Sequence, residues 1–163
     1  MTRLKPGSTR LIKYIIILIS GFYAAVISNG YQAVVDGDTI KIGRQTVRMD
    51  GMDAPELGQN CLCKGQTVKC GIQAKKALHR FIGSNTVLCE TNGRDFYGRL
   101  IGECFIQVNG RKVSLNEMMI QNGLAMAKYT DQFLIQESEA IRNRRGFWAC
   151  EGFEDPLSFR KTD

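Results

Sequence analysis

Short strands joined by tight turns are the feature of this 163-residue chain that most limits its fold. Ile40 and Ile42 alternate with polar neighbours, as do Val47 and Met49, which is the period of a half-buried strand. Gly43-Arg44 between the two pairs is typical of a hairpin turn. We therefore expect the region 31–51 to begin a small sheet rather than a helical bundle.

The rest of the pattern adds a few strands and helices. Strands are expected near 86–90 and 99–108, with Asn109-Gly110 as a turn signal. Apolar residues at helical spacing predict a helix over 74–82, and the capping box at 114–117 opens a second helix. A last helix is expected over about 130–145. Five strands with one inserted and two following helices predict an α+β domain, and a five-stranded OB-fold barrel with about three helices fits.

The first 28 residues differ in character from the rest. Four basic residues precede an apolar run from Tyr14 to Ile27, and no acidic residue occurs there. This run suits a signal peptide better than a full membrane span, but no clean A-x-A cleavage site follows it. We expect residues 1–28 to be a signal peptide or an uncleaved N-terminal anchor, and residues 29–163 to form one domain. Without the leader the net charge falls from +6 to about +2, so charge says little about nucleic-acid binding.

Cysteine usage agrees with export. An even number behind a signal-like leader predicts disulfides, although six cysteines allow 15 connectivities. Cys89 and Cys104 lie on predicted neighbouring strands and are expected to pair. Cys61 with Cys70 would staple a loop, which leaves Cys63 with Cys150. A zinc site is the alternative, but the spacing C-x-C-x6-C lacks paired C-x2-C motifs and no histidine lies nearby.

Acidic residues and arginines cluster in three segments. They read V-D-G-D-T-I (35–40), V-R-M-D-G-M-D-A-P-E (47–56) and R-D-F-Y-G-R (94–99). Each is a common turn or cap sequence when taken alone, and the order and spacing carry the signal. Carboxylates and carbonyls suit calcium or magnesium, and arginine forks suit phosphate. A metal, a carboxylate base and two arginines suffice for phosphodiester hydrolysis without a covalent intermediate.

The three segments resemble the signature blocks of the thermonuclease family (staphylococcal-nuclease-like proteins). The similarity extends over roughly residues 31–160, and the loop with Gln59, Cys61, Cys70 and Gly71 resembles a cysteine-bearing bacterial subgroup. The resemblance implies an OB-fold, Ca²⁺-dependent endonuclease that cuts DNA and RNA, with single strands favoured. It also implies products with 5′-hydroxyl and 3′-phosphate ends.

The resemblance also implies a metal site. Asp38 and Asp53 match the two carboxylates that ligate Ca²⁺, and Ala54 would supply a backbone carbonyl to the same ion. Asp36 matches an acidic residue that acts on the metal through water. The residue types alone would equally allow magnesium.

The remaining matched positions concern the phosphate and the water. Glu56 matches the proposed general base, and Arg48 and Arg99 match the arginines that bind the scissile phosphate. Tyr97 matches a tyrosine beside the nucleotide phosphate. Phe96 departs from the pattern, because the best-known members carry a basic residue there.

Other readings of the chain remain open at this stage. A catalytically silent OB module that binds nucleic acid or protein is the alternative function, and it would be expected to lose one or more of the acidic or arginine positions. Export to the periplasm or the medium competes with anchoring through the N-terminal segment. His79, the single histidine, is expected on the surface, and Phe147 and Trp148 in the core. We expect a monomer.

Overall fold

The structure, a computed structural model, describes residues 24–27 and 31–162 and arranges them around one curled sheet. The strands are β1 Ala24–Ile27, β2 Gln32–Val34, β3 Thr39–Ile42, β4 Gln45–Met49, β5 Met52–Asp53, β6 Cys61–Cys63, β7 Gln66–Val68, β8 Leu88–Arg94, β9 Leu100–Val108, β10 Arg111–Ser114 and β11 Met126–Ala127. The helices are α1 Cys70–Ile82, α2 Leu115–Gln121, α3 Leu134–Arg142 and α4 Pro156–Thr162, with a 3₁₀ turn at Gly146–Ala149. Most of the predicted leader, residues 1–28, lies outside the described residues.

The main sheet has seven strands in the order β1-β8-β9-β4-β3-β2, with β10 paired to β9. All of its neighbours are antiparallel except β4 and β9, which run parallel with Val47 beside Leu100 and Arg48 beside Ile101. Two short ribbons, β5–β11 and β6–β7, lie off this sheet. The parallel pair brings Arg48 of β4 close to Arg99, which directly precedes β9.

Local sequence explains these elements. Ile40, Ile42, Val47 and Met49 are all buried, as their alternation predicts. Asn109 and Gly110 both adopt positive φ, the conformation that a type I′ hairpin turn requires. At the start of α2, the Ser114 hydroxyl accepts a hydrogen bond from the Glu117 amide at 3.1 Å. These turns and caps hold the sheet and helices in one register.

Small residues let α1 approach the loops that carry the acidic segments. A side chain at Gly37 would stand 2.6 Å from the Ala54 Cβ and 2.8 Å from the Ala74 Cβ of α1. A side chain at Gly71, in the first turn of α1, would collide with the carbonyl of Glu56. The acidic loops therefore rest directly on the helix backbone, which limits how far they can move.

All three expected disulfides are present. They join Cys61 to Cys70, Cys63 to Cys150 and Cys89 to Cys104, so none of the six cysteines is free to ligate zinc.

The α+β class and the OB-like barrel are also confirmed. The described residues carry more elements than the five strands and three helices expected. Strands β1 and β10 extend the main sheet, the ribbons β5–β11 and β6–β7 add four short strands, and α4 follows the 3₁₀ turn.

The length of α3 and the exposure of single side chains test further predictions. Helix α3, Leu134–Arg142, is shorter than the predicted 130–145. Residues 131–133 form a turn in which the Leu134 amide donates to the Asp131 carbonyl, and Arg144 adopts a positive φ, which a helix does not accommodate. His79 is exposed and Phe147 is buried, as predicted, whereas Trp148, also expected in the core, is only half-buried. Among the described residues, no helix is both long and apolar enough to cross a bilayer.

Candidate active site

Arg48 lies at the centre of the site and joins two acidic segments. Its Nη1 donates to Asp38 Oδ1 at 3.0 Å, and its Nη2 donates to Asp53 Oδ1 at 2.8 Å. Both carboxylates are buried, Asp38 directly before β3 and Asp53 in β5. Burial disfavours the charge on Arg48, but the two carboxylates more than offset it and raise the pKa of Arg48. One guanidinium therefore links the ends of the predicted hairpin.

Asp38 is a buried carboxylate with a second carboxylate, that of Asp36, close to it. Its carboxylate accepts hydrogen bonds from the Thr39 hydroxyl at 3.0 Å and the Ala54 amide at 3.1 Å. Burial nevertheless raises the pKa of Asp38 to about 7; Arg48 opposes this rise, and the carboxylate of Asp36 adds to it. Asp36 itself accepts from the Asp38 amide at 3.0 Å, which fixes the turn before β3. The pocket thus favours an added positive charge.

Arg99 is oriented by Asp95 rather than by the acidic pair. Its backbone amide and its Nε donate to the two oxygens of Asp95 at 2.9 Å and 2.6 Å. Burial raises the pKa of Asp95, but the hydrogen bonds from Arg99 prevail and lower it. Tyr97 lies 5.7 Å from the Arg99 guanidinium carbon and is 81% exposed. Within the described residues neither Nη of Arg99 donates a hydrogen bond, so both are available to a phosphate.

Glu56 lies on a loop that Gln59 ties down. The Glu56 amide donates to Gln59 Oε1 at 3.1 Å, and the Gln59 amide donates back to the Glu56 carbonyl at 2.8 Å. Gln59 is fully buried, whereas the Glu56 side chain is 36% exposed. The loop therefore has a fixed base and presents a carboxylate at the surface.

The predicted residues converge on one cleft of about 660 Å³. Seven of the eight line it, and Asp53 lies beneath it as the partner of Arg48. The seven are Asp36, Asp38, Arg48, Ala54, Glu56, Tyr97 and Arg99. Phe96 also lines the cleft and is 97% exposed, with its ring edge-on to that of Tyr97 at 5.6 Å.

Sequence reasoning missed three residues of this cleft. Asp95 lies inside a recognised segment, and its spacing of four from Arg99 was an available signal. Tyr129, 62% exposed, lies 6.0 Å from the Arg48 guanidinium carbon. Arg160 of α4 contacts Asp53 and Glu56 from more than 100 positions along the chain, and these contacts raise its pKa. No local pattern indicates a contact at that separation.

The donor chemistry fits a hard cation. In the part of the chain that the structure describes, no three His, Cys, Asp or Glu side chains are gathered to hold a metal by themselves. Two buried carboxylates nevertheless lie on either side of Arg48, and the pKa of Asp38 is raised first by burial and then by the nearby carboxylate of Asp36. Calcium takes six to eight oxygen ligands, many of them water. Asp38, Asp53 and the Ala54 carbonyl would hold such an ion only with water completing its shell.

Comparison with known protein families agrees with the chemistry of the site. The family described as "Staphylococcal nuclease homologue" matches residues 46–150, which include Arg48, Asp53, Glu56 and Arg99. The chain therefore belongs to the staphylococcal nuclease family, and its enzyme class is that of a nuclease, a hydrolase.

The similarity to individual relatives covers much of the chain. It is 34% identical over 157 residues to the succinoglycan biosynthesis protein ExoI of Rhizobium meliloti (strain 1021), covering 91% of this chain and 81% of the relative. It is 33% identical to a micrococcal nuclease of Shigella flexneri, covering 79% of this chain and 78% of the relative. With endonuclease YncB of Bacillus subtilis (strain 168) it shares 31% identity over 73% of this chain and 60% of the relative.

Proposed function

We propose that this chain is a calcium-dependent endonuclease that hydrolyses DNA and RNA to 5′-hydroxyl and 3′-phosphate ends. The observation that carries the proposal is the convergence of two arginines and the carboxylates of Asp38 and Glu56 on one cleft, with Asp53 beneath it as a partner of Arg48. The relatives named as nucleases support the same activity. The alternative, a silent OB module, receives no support from the site, because every acidic and arginine position is filled.

The two arginines would brace the phosphate from different sides. Arg48 is held rigidly by Asp38 and Asp53, so it needs little reorganisation when charge develops on the phosphoryl oxygens. Arg99 is held through its Nε by Asp95, which leaves its outer nitrogens for a bidentate contact. Removal of one such preorganised donor typically costs about 100-fold to 1,000-fold in rate.

Glu56 would take a proton from the attacking water. It is the acidic residue of the cleft that is both partly exposed and mounted on a tied loop, which suits a general base. Calcium bound at Asp38, Asp53 and the Ala54 carbonyl, with Asp36 acting through water, would supply a positive charge beside the phosphate. No residue needs to form a covalent bond to the substrate.

Exposed aromatic rings support a preference for single strands. Phe96, Tyr97 and Tyr129 are 97%, 81% and 62% exposed around the cleft. Unpaired bases stack on such rings, whereas paired bases cannot reach them. Phe96 thus offers a stacking surface where a basic residue would have offered a phosphate contact.

The test is cleavage of single-stranded DNA and RNA by the purified protein, in calcium and in chelator. Glu56→Ala and Arg48→Ala should each lower the rate at least about 100-fold. The matched controls are Glu151→Ala and Arg44→Ala, which remove the same charges at exposed positions away from the cleft. Absence of cleavage in calcium contradicts the nuclease proposal, full activity in chelator contradicts the metal, and 5′-phosphate ends contradict the chemistry.

We further propose that the protein is translocated across a membrane and acts as a monomer. It is either released to the periplasm or the medium or held at the membrane by its N-terminal segment. Three disulfides support an oxidising compartment. Mass spectrometry of the mature N-terminus separates the outcomes. Cleavage near residues 28–30 supports release, and an intact leader in the membrane fraction supports anchoring. An intact leader in the cytosolic fraction contradicts both.

A further inference from the structure

Helix α4 brings a third arginine to the acidic pair. Arg160 Nη2 donates to Asp53 Oδ2 at 2.7 Å, and its Nη1 donates to Asp53 Oδ1 at 3.1 Å. The same Nη1 donates to Glu56 Oε1 at 2.6 Å. This is a bidentate contact to a fully buried carboxylate, made by a side chain that is 31% exposed. Arg160 therefore bridges the candidate metal ligand and the candidate base.

The position of Arg160 is held by the segment before it. Cys150 is bonded to Cys63, and the Gln59 side chain donates to the Glu154 carbonyl at 2.8 Å. Asp155 caps the start of α4 through the Leu157 amide at 2.9 Å and pairs with Lys128 at 2.7 Å. Several independent tethers thus lead to one arginine in the cleft.

Two guanidinium groups use the lone pairs of Asp53. Its Oδ1 accepts from both Arg48 and Arg160, and its Oδ2 accepts from Arg160. A calcium ion needs a carboxylate oxygen at about 2.3–2.6 Å, and it would lie within a few ångströms of both guanidinium charges. Like charges at that distance repel, most strongly beside a buried group. Calcium and the present contacts of Arg160 therefore compete for the same oxygens.

We propose that Arg160 is an internal counter-ion of the site, which occupies Asp53 and Glu56 without calcium and is released from Asp53 when the cation binds. This inference rests on the calcium site of the proposed function and adds its regulation. Arg48 is too enclosed to exchange, since its side chain is 17% exposed and contacts two buried carboxylates. Arg160 lines the cleft and is more exposed, at 31%, so it is the cation that can leave.

The sign of the effect follows from competition. A site whose binding-competent form is only partly populated binds its ligand more weakly by that fraction. Arg160→Gln removes the competing charge, so calcium affinity should rise about tenfold, within the range typical of coupling between two ligands. Arg160→Lys keeps the charge without the planar fork, so its calcium affinity should rise by less. Lys161→Gln removes the same charge one residue further on, at an exposed position, and should leave the affinity unchanged.

The experiment is calorimetric titration of calcium into the full protein and these three variants, without nucleic acid. A second readout is the Arg160 Nε–Hε NMR signal of the unmodified protein, which should shift as calcium is added. Higher affinity in Arg160→Gln with no change in Lys161→Gln supports the proposal. Equal or lower affinity in Arg160→Gln, no binding by any protein, or an unmoved Arg160 signal at calcium saturation overturns it.

The cleavage assay is run separately on the same proteins. If the unmodified protein binds calcium but cuts no nucleic acid, the proposed function fails while the counter-ion role of Arg160 stands. If it cuts nucleic acid in calcium and Arg160→Gln gains no affinity, the counter-ion role fails alone. Thermal unfolding of Arg160→Gln checks that the variant is folded, and the NMR readout does not depend on any variant.

Discussion

Replacing Gly71 with alanine tests how the position of Glu56 is set. The new Cβ would overlap the carbonyl group of Glu56 and stand 2.9 Å from the Leu57 Cα. Ordinary contact at Leu57 alone requires the backbones to separate by about 0.5 Å, and the Glu56 carbonyl must move further. Either the first turn of α1 or the Glu56 loop has to shift.

The magnitude follows from two opposing effects. Glycine to alanine within a helix ordinarily stabilises by up to about 1 kcal/mol, whereas overpacking of this kind costs about 1–3 kcal/mol or more. We expect a net loss of about 1–2 kcal/mol, which lowers the Tm of a domain of this size by roughly 2–8 °C. Displacement of a catalytic group by about 1 Å can cost about 100-fold in rate, so the cleavage rate should fall by up to about that factor even where the variant is fully folded.

The assay compares Gly71→Ala with Gly58→Ala, a glycine of the Glu56 loop at which a Cβ meets nothing within 4 Å. Thermal unfolding by circular dichroism gives the Tm, and cleavage is measured well below both transitions. If Gly71→Ala matches Gly58→Ala in both measurements, the contact does not constrain the loop. If only stability falls, the contact supports the fold but does not position Glu56.

Three further perturbations follow from the contacts described. Arg48→Met leaves two buried carboxylates short of a cation and should lower the unfolding free energy by about 3 kcal/mol in urea at neutral pH; a loss below about 1 kcal/mol would contradict the buried pairing. Replacing Cys89 and Cys104 together with alanine opens a link between residues 15 apart and should cost about 3 kcal/mol in the same assay, with unchanged stability as the contrary result. Burial raises the pKa of Asp155, but the hydrogen bonds from Lys128 and the Leu157 amide prevail and lower it. The charged carboxylate therefore stabilises the fold above its unfolded pKa of about 3.9, and this stabilisation is lost as the pH falls through the lower folded pKa. Asp155→Asn should therefore remove up to about 1 kcal/mol at pH 7 and nothing in strong acid, and an equal loss at both pH values would refute the assignment.

Local order made much of the fold predictable. Ile40 and Ile42 show their buried face in a period of two, and Asn109-Gly110 specifies its turn by backbone conformation alone. Each site segment is likewise continuous along the chain, so its motif could be read without knowing the fold. Asp38, Arg48 and Asp53 lie within 16 residues, and Arg48 is on β4, which pairs directly with the strand that follows Asp38.

Long-range contacts were not predictable in the same way. The parallel pairing of β4 with β9 places Arg48 near Arg99, yet the local sequence at neither position indicates that the two strands pair. Arg160 contacts Asp53 across a separation of 107 residues, from the short helix α4, which was not among the expected elements. A single sequence shows which residues can make an ion pair but not which ones the fold will bring together.

The bond between Cys63 and Cys150 has a consequence for how the chain acquires its native pairing. Its cysteines are 87 residues apart, whereas Cys61 and Cys70, separated by nine, flank Cys63. During synthesis these three thiols are available long before Cys150, and short loops close at lower entropic cost. Early oxidation therefore favours mispaired forms of Cys63, which must reshuffle by thiolate attack through mixed disulfides. Recovery of the native protein should depend on a thiol buffer or an isomerase, and a strong oxidant alone should trap scrambled molecules.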